Sequence, residues 1–151
     1  MDFEDLNKAS PKYDFPLLHI DELVDFTARH AMLSFMDGFS GYNQILMAPE
    51  DREKAAFTTP WGTYYYRVML FGLKNAGVTY QRAATTILQD MIHKDVEVYM
   101  DDMIVKAKER EGHYTTLQKF FQRIREFWLW LNPQKCTFGV TAGKMLGFLI
   151  T

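Results

Sequence analysis

The feature that most restricts this chain is the stretch Val96-Glu97-Val98-Tyr99-Met100-Asp101-Asp102-Met103-Ile104-Val105, in which two β-prone apolar runs meet at adjacent aspartates. That pattern predicts a tight β-hairpin. Asp is disfavoured in strands, and two carboxylates about 4 Å apart repel by roughly 4 kcal/mol at an effective dielectric of 20. Two accounts fit. Asp is a favoured turn residue, so the pair can be a solvated turn. The flanks are apolar, however, so the turn can equally emerge from the core, where a divalent cation would convert the repulsion into a binding site. Mg²⁺ takes one or two carboxylates and completes its shell with water and substrate phosphates. Asp37 is the natural third ligand: it ends the short apolar run Ala31 to Met36 and is followed by the breaker Gly38-Phe39-Ser40-Gly41. If the two strands pair, Asp37 comes beside Asp101. The result would suit two metals about 3.5–4 Å apart, which clamp the attacking and leaving oxygens of a phosphoryl displacement.

The rest of the chain reads as one domain. Its 151 residues leave room for a sizeable core, and 48% apolar with 24% charged residues is ordinary globular composition. Lys and Arg number 17 against 19 Asp and Glu, a net charge of −2, which argues against a basic nucleic-acid coat protein. Cys136 is the only cysteine, so neither an intrachain disulfide nor a cysteine zinc cluster is available. With no signal segment or membrane-length apolar run, the expectation is an intracellular protein.

Periodicity predicts a helix over Ile20 to Arg29, a strand over Ala31 to Met36 and a helical turn at Pro49 to Glu53. A hairpin is expected from 56–59 and 63–69, and a helix from about Ala76 to His93 with Asn75 as a cap. The apolar stripe Leu117, Phe120, Phe121, Ile124, Phe127, Trp128 and Leu131 predicts a helix ended by Asn132-Pro133, and Lys144 to Thr151 reads as a final strand. The first 16 residues read as irregular. The order predicts an α+β fold, an α/β sandwich with helices on one face of a mainly antiparallel sheet.

Tyr99-Met100-Asp101-Asp102 resembles the YxDD box of reverse transcriptases, and it comes with further blocks in that family's order. These are FEDLNK at 3–8, FMDGFSGYNQI at 35–45, AFTTPW at 56–61, FGLKNAGVTYQR at 71–82, LNPQKCTF at 131–138 and LGF at 146–148. Together they resemble the gypsy-type LTR retrotransposon branch, with a plant element as the expected source. The resemblance implies a right-hand polymerase palm with partial fingers. Residues 1–16 would lead from fingers into palm, 17–143 would form the palm with a fingers insertion around 48–80, and 144–151 would begin the primer grip.

The implied activity is Mg²⁺-dependent nucleotidyl transfer from dNTPs to a DNA primer on an RNA or DNA template, with two Mg²⁺ ions, or Mn²⁺ in their place. Asp37, Asp101 and Asp102 would be the catalytic, metal-binding residues. The backbone of Gly38, Phe39, Ser40 and Gly41 would face the triphosphate, Tyr42 would be the steric gate against a ribose 2′-OH, and Gln81 would touch nucleotide and primer. Tyr99 and Met100 would pack under the primer terminus, and Leu146, Gly147 and Phe148 would hold its backbone. Plainer roles exist for several of these: Tyr42 and Met100 as core, Gln81 as an exposed helix residue. Lys74 and Arg82 would contact template phosphates or simply stay solvated. The four histidines have no metal-like spacing.

The family usually has Arg at the position of Glu4, where a carboxylate would repel phosphates. The partners implied are template–primer and dNTPs, with thumb, connection, RNase H and integrase on the same polyprotein; the implied setting is a cytoplasmic virus-like particle with a nuclear stage. The competing expectation is an inactive retrotransposon remnant that binds metal or nucleic acid weakly.

Overall fold

The computed structural model describes residues 3–16, 19–145 and 147–151. The helices are α1 (Glu4–Ala9), α2 (Ile20–Thr27), α3 (Pro49–Arg52), α4 (Ala76–Ile87) and α5 (His113–Glu126). The strands are β1 (Met32–Asp37), β2 (Phe57–Thr59), β3 (Gly62–Tyr64), β4 (Val96–Tyr99), β5 (Asp102–Ala107), β6 (Thr137–Val140), β7 (Gly143–Met145) and β8 (Phe148–Ile150). Four of them form an antiparallel sheet in the order β4-β5-β1-β6, while β2-β3 and β7-β8 are separate two-stranded pairs.

Side chains alternate across a strand, so the register decides which residues share a face. Met36, Val96, Val98, Met103 and Val105 point to one face, where α4 supplies Tyr80 and Ala84 and α5 supplies Phe120 and Ile124. Leu33 and Ile104 point to the other and meet Leu23 of α2 with Met145 and Ile150 of the β7–β8 pair. Complete burial of a residue such as Leu23 or Phe120 stabilises by roughly 1.5–3 kcal/mol. The two long helices thus back one face as expected, while α2 covers part of the opposite one.

Several boundaries differ from the sequence pattern. The opening segment is not wholly irregular: α1 forms over Glu4–Ala9 with a Glu4–Lys8 ion pair of 2.7 Å, and it ends before Pro11. Helix α4 stops at Ile87 rather than near His93, because the chain turns back through Met91 and the left-handed His93 into β4; Leu88 and Met91 stay in the core without being helical. Helix α5 ends at Glu126, not Leu131. The N–H of Trp128 donates to the Arg125 carbonyl and that of Leu129 to Ile124, with Trp128 at φ 57. This is a Schellman ending with Trp at the position usually held by Gly. Residues 67–69 pair with 45–47 instead of prolonging β3. The sequence pattern missed β6, and the stretch from Lys144 onward holds the paired β7 and β8 instead of one strand.

Candidate active site

Tyr99 pairs with Asp102 to close a two-residue turn at Met100-Asp101, and Met100 carries a φ of 53, uncommon for a residue with a Cβ. The turn is held from α4. Gln81 is 6% exposed; its Nε2 donates to the Val98 carbonyl at 2.8 Å, and the Met100 N–H donates to its Oε1. Gln81 is therefore neither an exposed helix residue nor open to nucleotide and primer. Both polar ends of its side chain bind the hairpin backbone and fix the turn.

β1 lies against this hairpin with Asp37 directly opposite Asp102, and the Gly38 N–H donates to the Asp101 carbonyl at 2.9 Å. All three aspartates are thus gathered at one end of the sheet. Like charges directly opposite in a ladder destabilise it. Burial above all, then Asp101 and Asp37, pushes the Asp102 carboxyl up to about 6, against the pull of Lys135. Burial also raises Asp37, which Lys135 opposes and Asp101 reinforces. Sequence reasoning gave Lys135 no role. It sits on the single helical turn Pro133–Lys135, and that turn is tied to the site where the Asn132 N–H donates to the Asp37 carbonyl at 2.8 Å. The preceding Asn-Pro was the available signal, since it predicts a chain reversal.

The glycines after Asp37 have a packing role that the sequence reading did not assign. A Cβ at Gly38 would lie 2.6 Å from Tyr80 Oη, and one at Gly41 would lie 3.0 Å from the Asp101 Cβ. Both are needed so that α4 and the hairpin can close on the loop; the left-handed turn itself falls on Ser40, at φ 46. The Gly38 and Phe39 N–H groups point inward, to the carbonyls of Asp101 and Trp130. They are therefore not directed at a triphosphate, which corrects that part of the expectation. Among the described residues, the amides of Ser40 and Gly41 have no such backbone acceptor.

Tyr42 is half-buried on the turn Gly41–Gln44, stacked on Phe71 at 6.3 Å and edge-on to Tyr80 at 6.0 Å. Burial, then Asp101 and Asp102, raises its hydroxyl pKa, so its ring adjoins the acidic cluster. A Cβ at Gly77 would be tight against the Met100 Sδ at 3.2 Å and in ordinary contact with the Tyr42 Oη at 3.6 Å. Tyr99 packs into the core around Leu23 and Ile104. Gly147 takes a φ of 82 between β7 and β8, with Phe148 exposed; Leu146 lies outside the described residues. Lys74 and Arg82 are engaged within the chain: Lys74 Nζ donates to the Ser10 carbonyl, and Arg82 donates to Tyr13 Oη while lying over its ring. The Asn75 side chain joins Pro11 and Tyr13 rather than capping α4.

Among the described residues, no group of three Asp, Glu, His or Cys side chains is arranged to hold a metal ion. The donor set nevertheless suits a hard cation in an open site, where substrate oxygens complete the shell. It has three carboxylates that act on one another electrostatically, one lysine nearby, and beside them the buried Tyr80 hydroxyl, which has no hydrogen-bond partner among the described residues.

A sheet of this order that presents three carboxylates at the mouth of one hairpin, with helices behind it, defines a polymerase palm. The chain matches the reverse transcriptase (RNA-dependent DNA polymerase) family over residues 1–150 and belongs to it. It is 31% identical over its whole length to the retrovirus-related Pol polyprotein from transposon 297 of Drosophila melanogaster, and 32% to that from transposon 412. It is 28% identical to the Pol polyprotein from transposon gypsy of the same fly. The chain spans only 12–15% of the length of these relatives, none of which is from a plant. Its fold matches a foamy viral protease–reverse transcriptase in complex with double-stranded DNA, with a TM-score of 0.89 over 99% of this chain and 26% of that one, at 20% identity. A complex of the foamy viral enzyme with an RNA/DNA hybrid gives 0.86 at 21% identity, over 99% of this chain and 20% of the other.

Proposed function

We propose that this chain is the catalytic palm of a retrotransposon reverse transcriptase. It would join a primer 3′-OH to the α-phosphate of a dNTP on an RNA or DNA template and release pyrophosphate. The observation that carries this reading is the register that sets Asp37 against Asp102 with Asp101 in the adjoining turn. Asp37, Asp101 and Asp102 would hold divalent metal, two Mg²⁺ ions or Mn²⁺ in their place, which lowers the cost of forming the 3′-alkoxide and neutralises charge on the leaving group. The chain's own residues do the positioning. Gln81 holds the turn, Gly38 and Gly41 let α4 and the hairpin close, and the Ser40 and Gly41 amides can receive phosphate oxygens. Tyr42, beside the carboxylates, would bar a 2′-OH, and Phe39 would flank the nucleotide. Tyr99, Met100, Leu146, Gly147 and Phe148 would support the primer.

In this reading residues 1–16 lead from fingers to palm, a fingers insertion spans about 48–80, and 144–151 begins the primer grip. The partners would be template–primer, dNTPs, and the thumb, connection, RNase H and integrase of a longer polyprotein.

Primer extension on an RNA template with Mg²⁺ tests the activity. The expected result is incorporation that Asp101→Asn reduces at least about 10³-fold, since it removes a ligand on which both metal charge and alignment depend. Mn²⁺ binding without incorporation at any protein concentration would instead support the inactive-remnant alternative.

A further inference from the structure

Tyr80 has no role in the reading above, yet its environment is unusual. The side chain is 1% exposed, and its hydroxyl makes no hydrogen bond among the described residues. Buried hydroxyls are ordinarily paired, and one left unpaired in a native fold calls for an explanation. Among the described residues, the only other such side-chain atom is Nδ1 of His113, whose ring bonds to Ser34 at mid-strand, away from the acidic turn. Tyr80 is placed differently. Its ring lies between the two loops of the site, with Oη against Gly38 and the ring edge against Gly41, where the Asp101 Cβ also approaches. Asp101 is the charged group it feels most strongly, ahead of Asp37. An O–H donor without an acceptor therefore sits beside carboxylates that have more acceptor capacity than the described protein groups fill.

We propose that Tyr80 is a positioning residue of the acidic site: when the site is loaded, its buried hydroxyl donates to the carboxylate of Asp101 and fixes the direction of that side chain. This rests on the metal-binding reading of the three aspartates. It also explains why Gly38 lacks a side chain, because a Cβ there would displace the hydroxyl. A bare ring would fill the same core space, so packing alone does not account for the oxygen.

The variant Tyr80→Phe tests this in the 151-residue chain. Two readouts are needed, urea unfolding without metal and Mn²⁺ affinity, with Asp101→Asn used to identify binding at the acidic site. The expected result is a metal-free Tyr80→Phe at least as resistant to urea as the parent, because an unpaired donor has been removed. Its Mn²⁺ affinity falls by about tenfold, the size of one hydrogen bond to a charged group. In primer extension, kcat falls while the KM for dNTP is unchanged. Unaltered Mn²⁺ affinity in Tyr80→Phe, with normal Asp101-dependent binding by the parent, overturns the proposal alone. A less stable metal-free variant overturns it too, since the hydroxyl would then already have a partner. A parent that binds no Mn²⁺ overturns the metal-binding reading itself, and this proposal with it.

Discussion

The two ends of the β4–β5 hairpin carry charge in opposite ways. Glu97 and Lys106 lie one diagonal step apart on the same face, each 1% exposed at the side chain, and they pair at 2.8 Å. Lys106 also donates to the Phe26 carbonyl, and His93 Nδ1 lies 2.9 Å from the second Glu97 oxygen. Both buried charges there have partners. At the turn end, about four residues along each strand, three carboxylates gather, and among the described residues Lys135 is the cation that offsets them. The comparison separates two uses of buried charge. A pair that satisfies itself fixes how strands and α2 come together, whereas a cluster left unsatisfied keeps its affinity for something else.

That contrast can be broken from either side. The largest expected effect on stability is at the paired end. Lys106→Ala strips buried Glu97 of its lysine and leaves it only the half-exposed His93, and should destabilise by about 3–5 kcal/mol, read as a lower urea midpoint. Replacing both partners, as Lys106→Met with Glu97→Leu, should recover most of that loss. If the double variant is as unstable as the single one, the pair is more than a self-contained neutral unit. Gly38→Ala comes next. Its Cβ would meet Tyr80 Oη at 2.6 Å, an overpacking that costs about 1–3 kcal/mol, and Tyr80→Phe in the same chain should relieve part of it. Purely additive urea midpoints would show that the clash is absorbed elsewhere.

The smallest effect is the pH response of the turn. The folded protein holds the Asp102 proton up to about 6, against 3.8 ordinarily, so the stability this group contributes is full below about pH 4. It is lost as pH rises through 6. Solvent screening reduces the effect to about 1 kcal/mol between pH 4 and 7. The difference in urea midpoint between the parent and Asp102→Asn across that range isolates it from Asp90, which Arg123 holds at about 2 and which responds in the opposite direction. A difference independent of pH would mean that neither burial nor the neighbouring carboxylates hold the Asp102 proton.

Much of this site was legible in the chain itself. Apolar runs of β-prone residues meeting at Asp101-Asp102 dictate a hairpin, because alternation and turn chemistry are local properties. The three aspartates followed from the same logic, each standing where an apolar run ends. The helix ends were not legible. The stripe through Leu131 keeps its period beyond Glu126, and only the backbone reversal at Trp128 stops α5. Gln81 and Tyr80 were equally opaque, since nothing local distinguishes a helical Gln that binds a turn from one in solvent.

The amino-acid sequence by itself determined the family, the hairpin and the identity of the acidic residues, since each depends on residue types at short spacing. Only the tertiary structure decided which groups satisfy one another. The β1–β5 register set Asp37 against Asp102, the approach of α4 put Gln81 on the turn and Tyr80 beneath Gly38, and the turn after α5 brought Lys135 to the carboxylates. These are contacts between segments tens of residues apart. Their geometry follows from how two faces of one sheet are covered, which no local pattern specifies.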